Sequence, residues 1–312
     1  MAQVRDMSCW VDATAGNIPP TAWVAGEEPD GTPYYVVRGN DPNNACYRMA
    51  GKIHQGDDGA FMANWTKVCK AKEFQVLTLP LEDCKTTLQW YTIDKNTCAP
   101  PNSFIVIADH HMCIARAEKD GVWYTGVVNV DNNVCYVCIN QGNETKLVKI
   151  DDWQVLVEEL IDGPKWVETI GNKIPQHAWP AGHESDGKPL FLAYNTSLGK
   201  LGEHLEEAVV THNGYTMDFK YSWILTQPPD SKVSLKWENV GKKNELPRHS
   251  CKITTVAYLS PDAVRIARAE HKGGMQPGIL YTKDNSCYIP VQKNEKKKAI
   301  KKKSYEVLTL QF

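Results

Sequence analysis

No stretch of this 312-residue sequence holds eighteen consecutive apolar residues, so nothing in it reads as a membrane-spanning helix. Charge of one sign is also missing: Lys and Arg number 35 against 37 Asp and Glu, a formal net charge of −2. A balance this even supplies no global attraction to nucleic acid or to an anionic membrane. The opening Met1-Ala2-Gln3-Val4-Arg5-Asp6 lacks the apolar centre of a secretory signal, so the expected location is the cytoplasm, or outside the cell by a non-classical route. Gly-x-Ser-x-Gly, Gly-x-x-x-x-Gly-Lys-(Ser/Thr) and His-Glu-x-x-His are all absent. So is the glycine-rich strand-to-helix turn that holds a nucleotide-derived cofactor. The expectation is a non-catalytic protein with no cofactor and no resident metal.

Cysteine is plentiful but unevenly spread. Eight of the ten lie in the first half (Cys9, Cys46, Cys69, Cys84, Cys98, Cys113, Cys135, Cys138) and two in the second (Cys251, Cys287). A disulfide framework would have been copied along with the fold described next, so these read as reduced thiols packed as small apolar side chains. Cys135 and Cys138 form a Cys-x-x-Cys, but on a strand their sulfurs point to opposite faces and no second pair stands nearby to complete a zinc site. His110-His111 is treated as an exposed turn for the same reason. The sequons at Asn64, Asn143 and Asn195 matter only if the chain meets the secretory pathway.

What the sequence does contain is itself, repeated. Trp10-Val11, Gly16-Asn17-Ile18-Pro19 and Ala25-Gly26-Glu27-Glu28-Pro29-Asp30-Gly31 return as Trp166-Val167, Gly171-Asn172-Lys173-Ile174-Pro175 and Ala181-Gly182-His183-Glu184-Ser185-Asp186-Gly187, at a constant offset of 156. Ile114-Ala115-Arg116-Ala117-Glu118 returns as Ile266-Ala267-Arg268-Ala269-Glu270, at an offset of 152. Each quarter closes on an aromatic with aliphatics behind it: Phe74–Leu77, Trp153–Leu156, Trp223–Leu225 and Tyr305–Leu308. The reading is an A-B pair used twice: a first domain 1–162 with units of about 10–80 and 84–160, and a second 163–312 with units of about 166–228 and 234–312.

The apolar pattern is short and alternating, as in Tyr34–Val37, Phe104–Ile107, Val122–Tyr124 and Asn133–Ile139. Turn signals separate the runs: Asp30-Gly31, Asp120-Gly121, Asp186-Gly187 and Asn213-Gly214. This predicts an all-β protein of two tandem pseudo-symmetric sandwich- or barrel-like domains. The one helix-like run is Lys200–Ala208, short and interrupted by Gly202.

The order of these elements resembles the DM9 repeat: a Trp-Val opening, Gly-Asn-x-Ile-Pro, Ala-Gly-x-(Glu/Asp)-x-Asp-Gly, an aromatic strand ending in Arg38, Gly51-Lys52, and a closing Tyr305-Glu306-Val307-Leu308. The family includes an oyster mannose-binding lectin, a compact β fold that dimerises. It also includes segments that precede pore-forming modules, proteins described as farnesoic acid methyltransferases, and intracellular proteins that relocate on infection. The resemblance implies a carbohydrate-binding, mannose-type lectin of innate defence, with mannose-containing glycans as partners and self-association into a homo-oligomer. In the lectin an acid and a lysine hold the sugar; by motif position these are Glu28 and Lys52, with Glu184 as the acid of the third unit. There the segment Gly199–Val209 aligns without a clear Gly-Lys, and Leu205 or a neighbour takes the lysine's place. Thr125-Gly126-Val127 and Pro277-Gly278-Ile279 stand at that step in the other units, so one unit of four is expected to carry both partners.

A carboxylate accepts from two vicinal hydroxyls and an ammonium donates to a third, and charge strengthens each bond. Trp23, Trp65 and Tyr35 are candidates to cover the sugar's apolar face. The competing reading of the same residues is that Glu28 caps the turn before Asp30-Gly31 and Lys52 is solvated. Arg38, Arg116 and Arg268 either reach the ligand or pair structurally with an acid such as Glu118 or Glu270. The lysine-rich stretch Lys293–Lys303 could grip phosphates, but a solvated hairpin tip accounts for it. The alternative to a lectin is an intracellular interaction protein that has lost sugar binding.

Overall fold

The computed structural model describes residues 9–41, 44–78, 86–93, 98–107, 112–130, 132–141, 144–212, 214–240, 245–247, 249–251, 264–293 and 296–312. It is all-β, with no helix among the described residues. The chain forms two compact units, residues 1–94 with 103–158, and residues 95–102 with 159–312. The short segment 95–102, which the repeat period places with the first pair, thus packs with the second, where the Trp223 indole donates to the Cys98 carbonyl at 2.9 Å.

The first unit holds two antiparallel sheets. One is built from β1 (Cys9–Thr14), β2 (Val24–Glu27), β3 (Pro33–Asp41), β4 (Asn44–His54), β5 (Ala60–Ala63), β6 (Val68–Ala71) and β7 (Glu73–Thr78), in the order β1-β7-β3-β4-β5-β6 with β2 on β3. The other is built from β8 (Thr86–Thr92), β9 (Ile105–Ile107), β10 (Met112–Lys119), β11 (Val122–Asn129), β12 (Val134–Gln141), β13 (Glu144–Ile150) and β14 (Trp153–Leu160), in the order β13-β12-β11-β10-β14-β8 with β9 on β10. Successive side chains of β3 serve two cores. Val36 joins Tyr34, Leu77, Ile114, Val127 and Leu156 between the sheets, while Val37 joins Met49, Met62, Phe74 and Val76 on the other face. Burial on both faces explains why Tyr34-Tyr35-Val36-Val37 is apolar without a polar alternate.

The second unit repeats the plan through β15 (Lys165–Ile170), β16 (Pro180–His183), β17 (Pro189–Asn195), β18 (Ser197–Leu201), β19 (Ala208–His212), β20 (Tyr215–Phe219) and β21 (Tyr221–Thr226). It continues through β22 (Ser234–Asn239), β23 (Val264–His271), β24 (Gly274–Tyr281), β25 (Ser286–Lys293), β26 (Lys296–Lys302) and β27 (Glu306–Gln311). Here the two halves join into one sheet because β16 pairs with β24 at His183 and Met275.

Four tryptophans mark corresponding places. Trp10, Trp166 and Trp237 lie opposite Leu77, Leu225 and Leu308 of the closing strands. Trp10 carries the Arg38 guanidinium at 4.2 Å, Trp90 carries Arg116 at 4.8 Å and Trp237 carries Arg268 at 4.6 Å, while Trp166 meets the Tyr194 ring at 6.2 Å instead.

Two expectations need correction. The run Lys200–Ala208 is not a helix: it is the end of β18, a turn in which Leu205 N–H donates to the Gly202 carbonyl, and the start of β19. The lysine-rich stretch is largely strand β26, paired with β25 from Lys293↔Lys296 to Cys287↔Lys302, and Lys301 reaches Asp284 at 2.7 Å. The reduced-thiol reading fits the described cysteines, which are free, and burial pushes the Cys98, Cys138 and Cys251 thiols up to about 12. Asn64 and Asn195 are buried, so neither sequon presents its amide in the folded chain. His110-His111 lies outside the described residues.

Candidate functional site

Each unit brings an acid and a lysine together by the same route. The acid leaves β2 or β16 at the start of a tight turn. Gly31 N–H donates to the Glu28 carbonyl at 2.9 Å and Thr32 N–H to the Asp30 carboxylate at 2.9 Å; Gly187 and Lys188 repeat both bonds at 3.0 and 3.2 Å. Gly31 and Gly187 sit at φ of 84° and 86°, a backbone region that suits glycine. The turn therefore aims Glu28 and Glu184 back across the sheet.

The lysine arrives from the partner strand, one residue after a glycine. In register, Gly51-Lys52 lies opposite Val37-Val36, Gly126-Val127 opposite Ala115-Ile114, Gly199-Lys200 opposite Ala193-Leu192, and Gly278-Ile279 opposite Ala267-Ile266. A β-carbon at any of the four glycines would overlap a carbonyl oxygen of the adjoining strand, namely that of Phe61, Tyr136, Val209 or Tyr288. The glycine is thus a steric requirement of the sheet, and the following residue is free to differ. Val127 and Ile279 are fully buried apolar residues; Lys52 and Lys200 are the polar versions of the same position.

This overturns the expectation that a single unit carries both partners. Lys200 is the lysine of the third unit. The offset between copies is 156 up to the hairpin, as in Val36 and Leu192, but 148 after it, as in Lys52 and Lys200, because the second hairpin is eight residues shorter. Carrying the first offset through leads to Ala208, on the next strand.

In the first unit, Lys52 Nζ donates to Glu28 Oε1 and to the Trp123 carbonyl at 2.7 Å. Its ammonium lies 5.0 Å from the Tyr34 ring and 4.9 Å from that of Tyr124. These rings, rather than Trp23, Trp65 and Tyr35, flank the charge; those three pack against the cores. His54 Nε2 lies 2.8 Å from the same Glu28 oxygen, and its Nδ1 lies 2.9 Å from Asp57 Oδ2. Burial pulls Lys52 below the usual ammonium value, against the opposing pull of the Glu28 carboxylate. Glu28 Oε2 and one ammonium hydrogen of Lys52 make no bond among the described residues.

In the second unit, Lys200 Nζ donates to Glu184 Oε1 at 2.7 Å and to Gln276 Oε1 at 2.6 Å. The Gln276 amide in turn donates to Glu184 Oε2 at 2.9 Å and to the His183 carbonyl at 3.3 Å. Burial alone would raise the Glu184 carboxyl, but the Lys200 and Gln276 donors outweigh it and hold it below its ordinary value. A cavity of about 430 Å³ opens over this cluster, lined also by His204, His271 and Lys272. His271 Nε2 is shut off from solvent and has no hydrogen-bond partner among the described residues. Sequence reasoning missed Gln276, His204 and His271, which carry no motif.

Arg38 is held elsewhere. Its Nε donates to Gln75 Oε1 at 2.9 Å while the guanidinium covers Trp10. Arg116 pairs with Gln154 at 2.8 Å and Arg268 with Glu306 at 2.5 Å. These bonds run to the closing strand in place of Glu118 or Glu270, and of the three only Arg268 meets an acid there. No group of side chains able to hold a metal ion occurs among the described residues.

No curated protein matches the chain. Among solved structures, the crystal structure of the nematode sperm cell motility protein MFP2B is similar, at 12% identity and a TM-score of 0.38 over 97% of each chain. The DM9 repeat family matches residues 107–197, from β9 to the first residue of β18, and so takes in Arg116, Tyr124 and Glu184. The chain thus carries a DM9 repeat, counted from the middle of one unit to the middle of the next.

Proposed function

We propose that this protein is a carbohydrate-binding lectin of the mannose-binding kind, with a tandem pair of DM9-type sites at Glu28–Lys52 and Glu184–Lys200. One observation carries the reading: two segments far apart in sequence deliver a carboxylate and an ammonium to the same spot, and do so twice. A saccharide presents adjacent hydroxyls that can donate to a carboxylate oxygen and accept from an ammonium at once, and bonds to charged partners are the stronger ones. Each ammonium retains a hydrogen not used inside the protein. The 430 Å³ cavity of the second unit falls in the size range of small-molecule sites. Recognition of microbial glycans in innate defence, and self-association, are the settings in which such a module would work.

Titration calorimetry of the full chain with mannose and mannan tests this. Lys52→Met and Lys200→Met should each remove about half of the binding stoichiometry, and the double variant all of it. A wild-type chain that retains no glycan, yet captures protein partners, would overturn the lectin reading and leave an interaction protein built on the same scaffold.

A further inference from the structure

The two sites share a scaffold but not a charge. At the rim of the first, Asp57 binds His54, and the charges of Glu28 and Asp120 both act on Tyr124. Register places each counterpart in the second unit. Asp57 corresponds to Leu205, Asp120 to Lys272, Lys119 to His271 and Tyr124 to Gln276. Two carboxylates and the Lys119 ammonium have gone, and an ammonium stands where one of the carboxylates was.

The remaining acid of the second site is already engaged, since both oxygens of Glu184 accept bonds from Lys200 and Gln276. What still faces the cavity without a partner is cationic: the third hydrogen of Lys200 and the Lys272 ammonium, with the His204 imidazole beside them at 3.7 Å from Glu184. Burial, and then the Lys302, Lys272 and Lys200 ammoniums, hold the His271 imidazole below its usual value against the opposing pull of Glu184. Lys272 holds its place at the hairpin tip with φ of 52°, the conformation Asp120 adopts at 55° in the first unit.

We propose that the second-unit pocket takes a saccharide carrying an anionic group (a uronate, a sulfate ester or a phosphate ester), while the first unit takes neutral sugar hydroxyls. This rests on the carbohydrate reading above. Lys200 and Glu184 fix the hydroxyls, and Lys272 receives the anionic oxygens, since hydrogen bonds to a charged acceptor are stronger than to a neutral one.

The test is calorimetric titration of the full chain with matched ligands: glucuronate against glucose, mannose phosphate against mannose, and inorganic phosphate alone. The anionic sugar should bind about tenfold more tightly than its neutral parent, with an affinity that falls as salt rises. Lys272→Asp installs the residue the first unit already accommodates in that turn, so the variant keeps the fold. It should weaken the anionic sugar about fivefold and leave the neutral one unchanged. Equal affinity for charged and neutral sugars, or an unchanged response in Lys272→Asp, would overturn the proposal while leaving the lectin standing. Inorganic phosphate as tight as the sugar phosphate would also overturn it, by showing a bare anion site. Failure of every sugar to bind would bring down the carbohydrate reading itself.

Discussion

Gly202 and His204 divide between them the place that His54 fills alone. Gly202 stands at the register position of His54, and a β-carbon there would lie 2.7 Å from Cε1 of the His204 ring. The imidazole has moved from the strand to the turn beyond it, and returns to within 3.7 Å of the Glu184 oxygen. Gly202→Ala should therefore turn the ring out of the pocket. The clash is with the movable end of a side chain, so the stability cost should be only about 1 kcal/mol, read from the urea midpoint, while saccharide affinity at the second unit falls severalfold. A variant with unchanged affinity would show that the ring has no part in binding.

Gly199→Ala is expected to behave differently. Its new methyl meets the backbone carbonyl of Val209, which cannot move without shifting a whole strand. Destabilisation of about 3 kcal/mol or more is expected, and Gly51→Ala should do the same to the first unit through Phe61. Chemical denaturation of the two variants checks this; midpoints near the wild type would contradict a steric requirement for glycine at these positions.

Acid should act on the second unit through Glu184. Its carboxyl is held below the ordinary value of 4.5, so between the two values the unfolded chain binds more protons than the folded one. The resulting stability is complete above about pH 4.5 and drains away as pH falls through the lowered folded-state value. Glu184→Gln should be less stable than the wild type near neutrality, with the gap closing as pH falls below the ordinary value of 4.5. Parallel denaturation curves at both ends of that range would contradict the assignment.

The arginines separate folding from binding. Arg38→Met loses a neutral partner, Gln75, and should cost about 1 kcal/mol. Arg268→Met leaves the Glu306 carboxylate without its partner and should cost about twice that. Neither should alter mannose affinity at the first site. A loss of affinity in Arg38→Met, measured by calorimetry, would return that residue to the binding surface.

Much of this was legible in the chain. Alternating apolar residues and Asp-Gly turns marked the strands, and the repeated Ala-Gly-x-Glu-x-Asp-Gly located both acids. Glu28 and Lys52 were paired by motif, and the structure brings them into contact. Lys200 was not found, although Gly199-Lys200 is written plainly, because the residues after it imitate a helix and the preceding hairpin is shortened. Gln276 and His271 could not be found at all, for their importance lies in what stands across the sheet from them.

By itself the sequence determined that the protein would be all-β, built from repeated units, and punctuated by turns that aim an acid inward. These are local matters, set by side-chain alternation and by which residues tolerate left-handed backbone. The tertiary structure alone decided which lysine meets which acid, and which rim became cationic. Hairpin length and strand register decide that, and separation along the chain does not record distance across a sheet.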